Sequence, residues 1–205
     1  MNTPHPANLT ERDGELYYQP GFVPPDAAGA LFEQLSRELV WREEEIVIAG
    51  RHVPVPRRVC WYGDPEASYR YSGVDHSPLP WPDTLLELKQ AIERYSGWSF
   101  NSVLGNLYRD GNDSMGWHAD NEKELGDCPR IASLSLGAER VFQLRHRHGE
   151  RLEIRLKNGS LLLMGGSLQH HWRHCLPKTR HPTGPRINLT FRRIFAARHQ
   201  EQPHG

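Results

Sequence analysis

Apolar residues recur along this chain in two rhythms. Behind Pro24-Pro25-Asp26 they return every four positions as Leu31, Leu35 and Leu39, which predicts a helix opened by proline. A second helix is predicted from Pro82 to Tyr95, with Leu85, Leu88, Ile92 and Tyr95 on one face and Gly97 as its stop. From Asn101 onward the rhythm shortens to short strands separated by Gly, Asp, Asn and Pro turns. Strands are expected near 101–109, 115–120, 130–136, 140–146, 151–156, 160–164, 170–175 and 185–195. Upstream, residues 45–62 alternate apolar with polar and carry several prolines, as strands and loops at a sheet edge do, and Tyr62-Gly63-Asp64 marks a turn. Eight short strands at this spacing suggest an antiparallel sandwich or jelly roll with the two helices packed outside it. The fold expected is therefore mainly β with flanking helices, of α+β type. Residues 1–20 read as a flexible arm, and 21–198 as one domain with its strand-rich core at 101–195.

Composition narrows this picture without changing it. The 205 residues suffice for one substantial domain, and 18 Gly with 16 Pro favour turns over a helical bundle. No stretch approaches the length of apolar sequence needed to cross a membrane, and Met1 to Pro20 lacks the apolar centre of a signal peptide. Cys60, Cys128 and Cys175 are odd in number and form no CxxC pair, which reads as reduced thiols in a cytoplasmic protein. Net charge is zero but unevenly spread. Residues 1–139 hold 12 Lys/Arg against 22 Asp/Glu, whereas residues 140–205 hold 13 against 3. This split suggests a basic face for a polyanion; alternatively the two halves pair across one fold.

The densest chemistry lies in Gly116-Trp117-His118-Ala119-Asp120-Asn121-Glu122. On a strand, positions two apart face the same way, so His118 and Asp120 aim an imidazole and a carboxylate at one point. A third ligand would complete the two-histidine, one-carboxylate set of non-haem Fe(II) oxygenases. His174 is the candidate, within the imidazole-rich run His170-His171-Trp172-Arg173-His174; His170 and His171 are not expected to be ligands. In the last strand, Arg186, Asn188, Thr190 and Arg192 alternate with Ile187, Leu189 and Phe191. If the apolar set packs outward, two arginines face the barrel interior, where they need anions. A dicarboxylate would occupy both, since arginine binds carboxylates in bidentate fashion. Asn106 and Tyr108 share a face and are placed to hydrogen-bond one end of it.

These residues resemble the AlkB-type Fe(II)/2-oxoglutarate dioxygenases. The resemblance is carried by NLYRDG (106–111), GWHADNE (116–122), IASLSLGAER (131–140), LLLMGGSLQHHWRHCLP (161–177) and PRINLTFR (185–192), and reaches upstream to SYRYSG (68–73). It implies a double-stranded β-helix core in which His118, Asp120 and His174 hold Fe(II). It implies that 2-oxoglutarate is bound by Asn106, Tyr108, Arg186 and Arg192, with Asn188 and Thr190 nearby. With O2, such enzymes oxidise 2-oxoglutarate to succinate and CO2 and hydroxylate an N-methyl group of a base, which is then released as formaldehyde. The target base, of 1-methyladenine or 3-methylcytosine type, must leave its stack to reach the metal. Tyr62, Tyr69, Tyr71 and Ser72 fall where the family places base contacts, and Asn121 and Glu122 match positions at the base edge. Residues 21–100 would then hold the helices and a base-recognition lid, and Arg145 and Arg147 would meet phosphates.

One departure bears on the substrate. Where a duplex-repairing member carries an aromatic finger, this chain has Ile46-Val47-Ile48-Ala49-Gly50-Arg51, with Ala49 near the aromatic's place. A methyl group fills a vacated stack poorly, although Ile48 offers a wedge. Single-stranded DNA is therefore favoured, RNA stays open, and a monomer is expected. Other readings are an oxygenase acting on RNA or protein side chains, a zinc hydrolase using the same three ligands, and a non-catalytic module that binds damaged nucleic acid.

Overall fold

The alternation of side chains along the strands builds two facing sheets with a different core on each side of the larger one. The computed structural model describes residues 6–48, 50–71, 74–181 and 183–195, with backbone alone at 46–48, 69–71 and 74–76. In chain order the elements are β1 (Glu15–Gln19), α1 (Pro25–Glu38), β2 (Arg42–Ile48), β3 (Arg51–Gly63), β4 (Tyr69–Tyr71), β5 (Val74–His76), α2 (Asp83–Ser96) and β6 (Ser102–Tyr108). They continue with β7 (Met115–His118), β8 (Ile131–Gly137), β9 (Arg140–His146), β10 (Arg151–Leu156), β11 (Ser160–Gly165), α3 (Leu168–His171), β12 (Trp172–Leu176) and β13 (Arg186–Arg192). The larger sheet runs β1-β11-β8-β13-β6-β3-β2, the smaller β10-β9-β12-β7, and β4 pairs with β5 as a separate hairpin. From β6 to β13 the chain crosses from one sheet to the other after every strand except at the β9–β10 hairpin, and all pairings are antiparallel, which is the jelly-roll architecture expected from the strand spacing.

On β13 the odd positions Ile187, Leu189 and Phe191 are fully buried against the helix side, where Leu35 of α1 and Leu85 and Ile92 of α2 join the same cluster. Each such side chain contributes roughly 1.5–3 kcal/mol by leaving water. The even positions Arg186, Asn188, Thr190 and Arg192 turn to the opposite face, between the sheets. A second cluster closes one end of that interior, with Leu16, Leu144, Leu162, Met164 and Trp172 among its members. Gly97 ends α2 in the left-handed region at φ 71°, as the sequence predicts, a conformation glycine adopts without a Cβ clash.

Two expectations fail here. Residues 15–19 are not part of a flexible arm but strand β1, paired with β11 in the register Leu16↔Met164. Leu16 is fully buried, and its backbone N–H donates to Asn8 Oδ1 at 2.8 Å, so the preceding loop is tied as well. Residues 170 and 171 are not strand: α3 forms first, after Gly166 turns the chain at φ 58°, and β12 begins at Trp172. Among the described residues no helix is long and apolar enough to cross a membrane.

Candidate active site

Strand pairing brings the two histidines together. β7 and β12 are antiparallel neighbours in which His118 and His174 are direct cross-strand partners, so both imidazoles project to the same side of the smaller sheet. Their Nε2 atoms lie 3.1 Å apart. The His118 Nδ1–H donates to the Gly116 carbonyl at 2.8 Å, which leaves Nε2 with its lone pair. Asp120, two residues beyond His118, completes the group: its Oδ2 is 3.7 Å from His174 Nε2. The Asp120 N–H donates to Gln169 Oε1 at 3.0 Å, and Arg192 Nη2 donates to Asp120 Oδ1 at 2.7 Å.

Burial sets the electrostatics of this triad. It holds the His174 imidazolium down to about 3 against the favourable charge of Asp120, so the ring is neutral at physiological pH, as a metal ligand must be. Burial works to raise the Asp120 carboxyl. Arg192, His174 and His118 outweigh it and hold the group below the ordinary carboxylate range, so it is ionised. Two imidazoles and one carboxylate, with all three donor atoms within 4.8 Å of one another, form a facial set suited to a divalent cation such as Fe(II).

The triad opens into a cavity in the space between the sheets. Asn106, Tyr108, Asn188 and Thr190 line it, and Arg186 forms its far wall. Arg186 is 2% exposed and sits directly across from Tyr108 in the β13–β6 register, its guanidinium 5.3 Å from the ring centroid. Nη2 donates to Ser135 Oγ at 2.9 Å, but the buried Nε has no partner among the described residues. Burial pulls this guanidinium down to about 10, with no carboxylate among the influences that restore it. A buried cation with an orphaned N–H fits a receptor for an anionic group, and the carboxylate of 2-oxoglutarate matches it in charge and fork geometry. The amide of Asn188 donates to Ser133 Oγ at 2.7 Å, and Thr190 Oγ1 donates to Asn188 Oδ1 at 3.1 Å, which fixes that wall. Arg192 lies at the triad end, committed through Nη2 to Asp120, with its Nε unpartnered among the described residues.

Two supporting residues escaped the sequence reading. Arg57 on β3 donates through Nε to Asn106 Oδ1 at 2.7 Å, orienting that amide. Gln169 holds the Asp120 backbone from α3. Neither has a local signal: each acts through a contact between segments 49 residues apart.

The proposed base contacts separate. Tyr62 requires correction. It lies on the helix side of β3, is 5% exposed in the core, and its hydroxyl accepts the Val40 N–H at 2.8 Å, so it is no wall of an open pocket. Tyr69 and Tyr71 lie on the β4–β5 hairpin, described by backbone alone, and Ser72 and Ala49 lie outside the described residues. Asn121 and Glu122 are exposed just beyond Asp120. His170 bonds the Asp127 carbonyl and His171 stands apart from the triad, so neither is one of its ligands.

Comparison with known proteins agrees with this geometry. The model of the 2OG-Fe(II) oxygenase superfamily matches residues 15–192. Over 187 residues the chain is 44% identical to the alpha-ketoglutarate-dependent dioxygenase alkB homolog 3 of Bos taurus, covering 86% of this chain and 65% of that protein. It is 36% identical to the DNA oxidative demethylase ALKBH2 of Mus musculus, covering 82% of this chain and 75% of the relative. The solved structure of OsALKBH1 superposes with a TM-score of 0.64 at 17% identity, over 89% of this chain and 97% of that one, a likeness of fold. The chain thus spans just under two thirds of the length of the alkB homolog 3 relatives it matches.

Proposed function

Because the chain belongs to the 2OG-Fe(II) oxygenase superfamily, we propose that it is an AlkB-type oxidative demethylase of N-alkylated bases in nucleic acid. Its substrates are bases of 1-methyladenine and 3-methylcytosine type, in single-stranded DNA by preference and in RNA as the alternative. Fe(II), 2-oxoglutarate and O2 are its cofactor and cosubstrates. His118, Asp120 and His174 hold the metal. Arg186 takes the distal carboxylate of 2-oxoglutarate with Tyr108, while Asn106, Asn188, Thr190 and Arg192 position the remainder. When bound, these groups supply the oxidation of an otherwise inert N-methyl C–H bond to a hydroxymethyl group that leaves as formaldehyde. The protein's own part is orientation and exclusion. Arg192 and Gln169 hold Asp120 at both its carboxylate and its backbone, and the closed end of the barrel keeps bulk water from the metal.

The observation that carries the nucleic-acid reading is a row of arginines on the outer face of the smaller sheet. Arg145 pairs directly with Arg151 on one side and with Arg173 on the other, and all three are exposed. Like charges set opposite one another across strands are unfavourable unless an external anion joins them, and a phosphate backbone supplies one. Beside the row Trp117, 40% exposed, lies 5.0 Å beneath the Arg145 guanidinium and one residue from His118, where an unpaired base can stack. Tyr69, Tyr71 and Ser72, with Asn121 and Glu122, remain the proposed contacts to the flipped base; Tyr62 is withdrawn from that set. The names of the two relatives, a dioxygenase and a DNA oxidative demethylase, support the same reading. The three free thiols suit a reducing compartment such as the cytoplasm, and a monomer is part of the same proposal.

The test is a substrate panel. Single-stranded DNA, duplex DNA and RNA, each carrying one 1-methyladenine, are incubated with enzyme and cosubstrates, and methyl loss is followed by mass spectrometry. Fastest loss from the single strand is expected. Equal or faster loss from the duplex would contradict the strand preference, and no loss from any would contradict the base-demethylase assignment.

A further inference from the structure

A second cluster of metal-type donors lies away from the proposed active site and is used by nothing above. It gathers Asp13 from the turn before β1, His146 from the end of β9 and His171 from α3, with donor atoms all within 4.8 Å of one another. The His146 side chain is fully buried, and its Nε2 lies 3.1 Å from Asp13 Oδ2. The His171 ring is nearly parallel to that of His146, with centroids 6.1 Å apart, and its buried Nδ1 has no hydrogen-bond partner among the described residues. A buried ring nitrogen left unpaired forfeits the hydrogen bond that water would supply. The turn that presents Asp13 is itself built. Asp13 takes the left-handed conformation at φ 57°, and the Thr10 hydroxyl and Asn8 amide both donate to the Gly14 carbonyl.

We propose that Asp13, His146 and His171 form a second divalent-cation site, selective for zinc-like metals. Two imidazoles and one carboxylate are the ligand set of a borderline cation, with water in the remaining position. Magnesium and calcium, which demand mostly oxygen ligands, are excluded by the same donor set. In the metal-free state the His148 N–H donates to His146 Nδ1 at 3.3 Å, so Nε2 carries the ring proton and gives it to Asp13. Cation binding at Nε2 shifts that proton to Nδ1 and displaces this long contact, while Asp13 turns from hydrogen-bond acceptor to ligand. The site then joins the segment before β1 to the β9–β10 hairpin and to α3, three elements otherwise distant in sequence. It also gives a role to the imidazole-rich run that the active site leaves over.

The experiment is a metal count on the full-length protein, stripped and then dialysed against zinc. Two zinc ions per chain are expected, one at each histidine–carboxylate cluster. Asp13→Asn, which keeps the left-handed turn and an amide of the same shape, and His171→Ala should each reduce the count to one. Asp120→Ala should also leave one, and Asp13→Asn combined with Asp120→Ala none, with circular dichroism confirming that each variant is folded. Zinc should raise the melting temperature of Asp120→Ala but not of the double variant. A single zinc in the unaltered protein, or a second zinc that survives both Asp13→Asn and His171→Ala, would overturn the site. Because the readout is metal content, failure here leaves the demethylase reading standing.

Discussion

Replacing Arg186 with methionine should separate binding from stability, moving them in opposite directions. The guanidinium is fully buried, donates to Ser135 Oγ, and leaves its Nε unpaired among the described residues. Without an anion it is a desolvated charge. A well-packed apolar side chain of similar length is then expected to leave folding stability unchanged or to raise it by about 1–4 kcal/mol. With 2-oxoglutarate bound, the same replacement leaves a buried carboxylate without its charged partner, a loss of about 2–5 kcal/mol. That corresponds to an affinity roughly 30-fold to several thousand-fold weaker. Thermal melting without cosubstrate measures the first effect, and anaerobic titration with 2-oxoglutarate in the presence of Mn(II) measures the second. A variant that melts well below the unaltered protein yet binds 2-oxoglutarate normally would refute the assignment, making Arg186 a structural residue.

Asp120→Ala should abolish turnover and Fe(II) retention at the triad while the chain still binds single-stranded oligonucleotide; undiminished turnover would remove the triad from the mechanism. Trp117→Ala should weaken single-strand binding by about 1–3 kcal/mol, the cost of one stacked base, and leave 2-oxoglutarate decay without substrate untouched; unchanged filter binding would count against the platform. Asp113 is buried and accepts from the Arg109 backbone N–H, Nε and Nη2 at 2.8, 2.8 and 2.9 Å. Burial works to raise its carboxyl, but the Arg109 hydrogen bonds and the Arg109 and Arg140 charges hold it below the ordinary carboxylate range. The folded-state value is thus lower than the unfolded one, so its stabilisation is present above about pH 4 and lost as pH falls further. Asp113→Asn should lower stability at pH 7 and flatten the acid limb of a pH–melting curve; a parallel curve would show that Asp113 does not drive acid sensitivity. Burial pushes the Cys60 thiol up to about 12 and raises Cys175 as well, whereas Cys128 is exposed. A thiol-reactive dye should therefore label one cysteine quickly in the native protein and all three after denaturation.

The chain reveals its local periods more readily than its long-range partners. Both helices and the eight strands of the barrel follow from apolar spacing, since each buries one stripe or one face. His118 and Asp120 were legible because two residues apart on an extended segment is a local relation. That His174 lies directly across from His118 is a matter of register between strands 56 residues apart, which spacing alone does not encode. β1 went unseen for the same reason. Of its five residues only Leu16 is fully buried, and its pairing is with β11, far along the chain. Tyr62 was misplaced because the alternation that directs Arg186 inward directs Tyr62 toward the helices. Motif position does not reveal which face of the sheet a residue occupies.

The most direct test of the central claim is a coupled single reaction. Protein loaded anaerobically with Fe(II) and 2-oxoglutarate is mixed with a single-stranded oligonucleotide carrying 1-methyladenine, then exposed to O2. Succinate, formaldehyde and repaired base are then counted together. The account predicts equal amounts of formaldehyde and repaired base, with succinate at least matching them, and none of the three with His174→Ala. Succinate alone would contradict the nucleic-acid substrate, and repaired base without succinate would contradict the oxygenase chemistry itself.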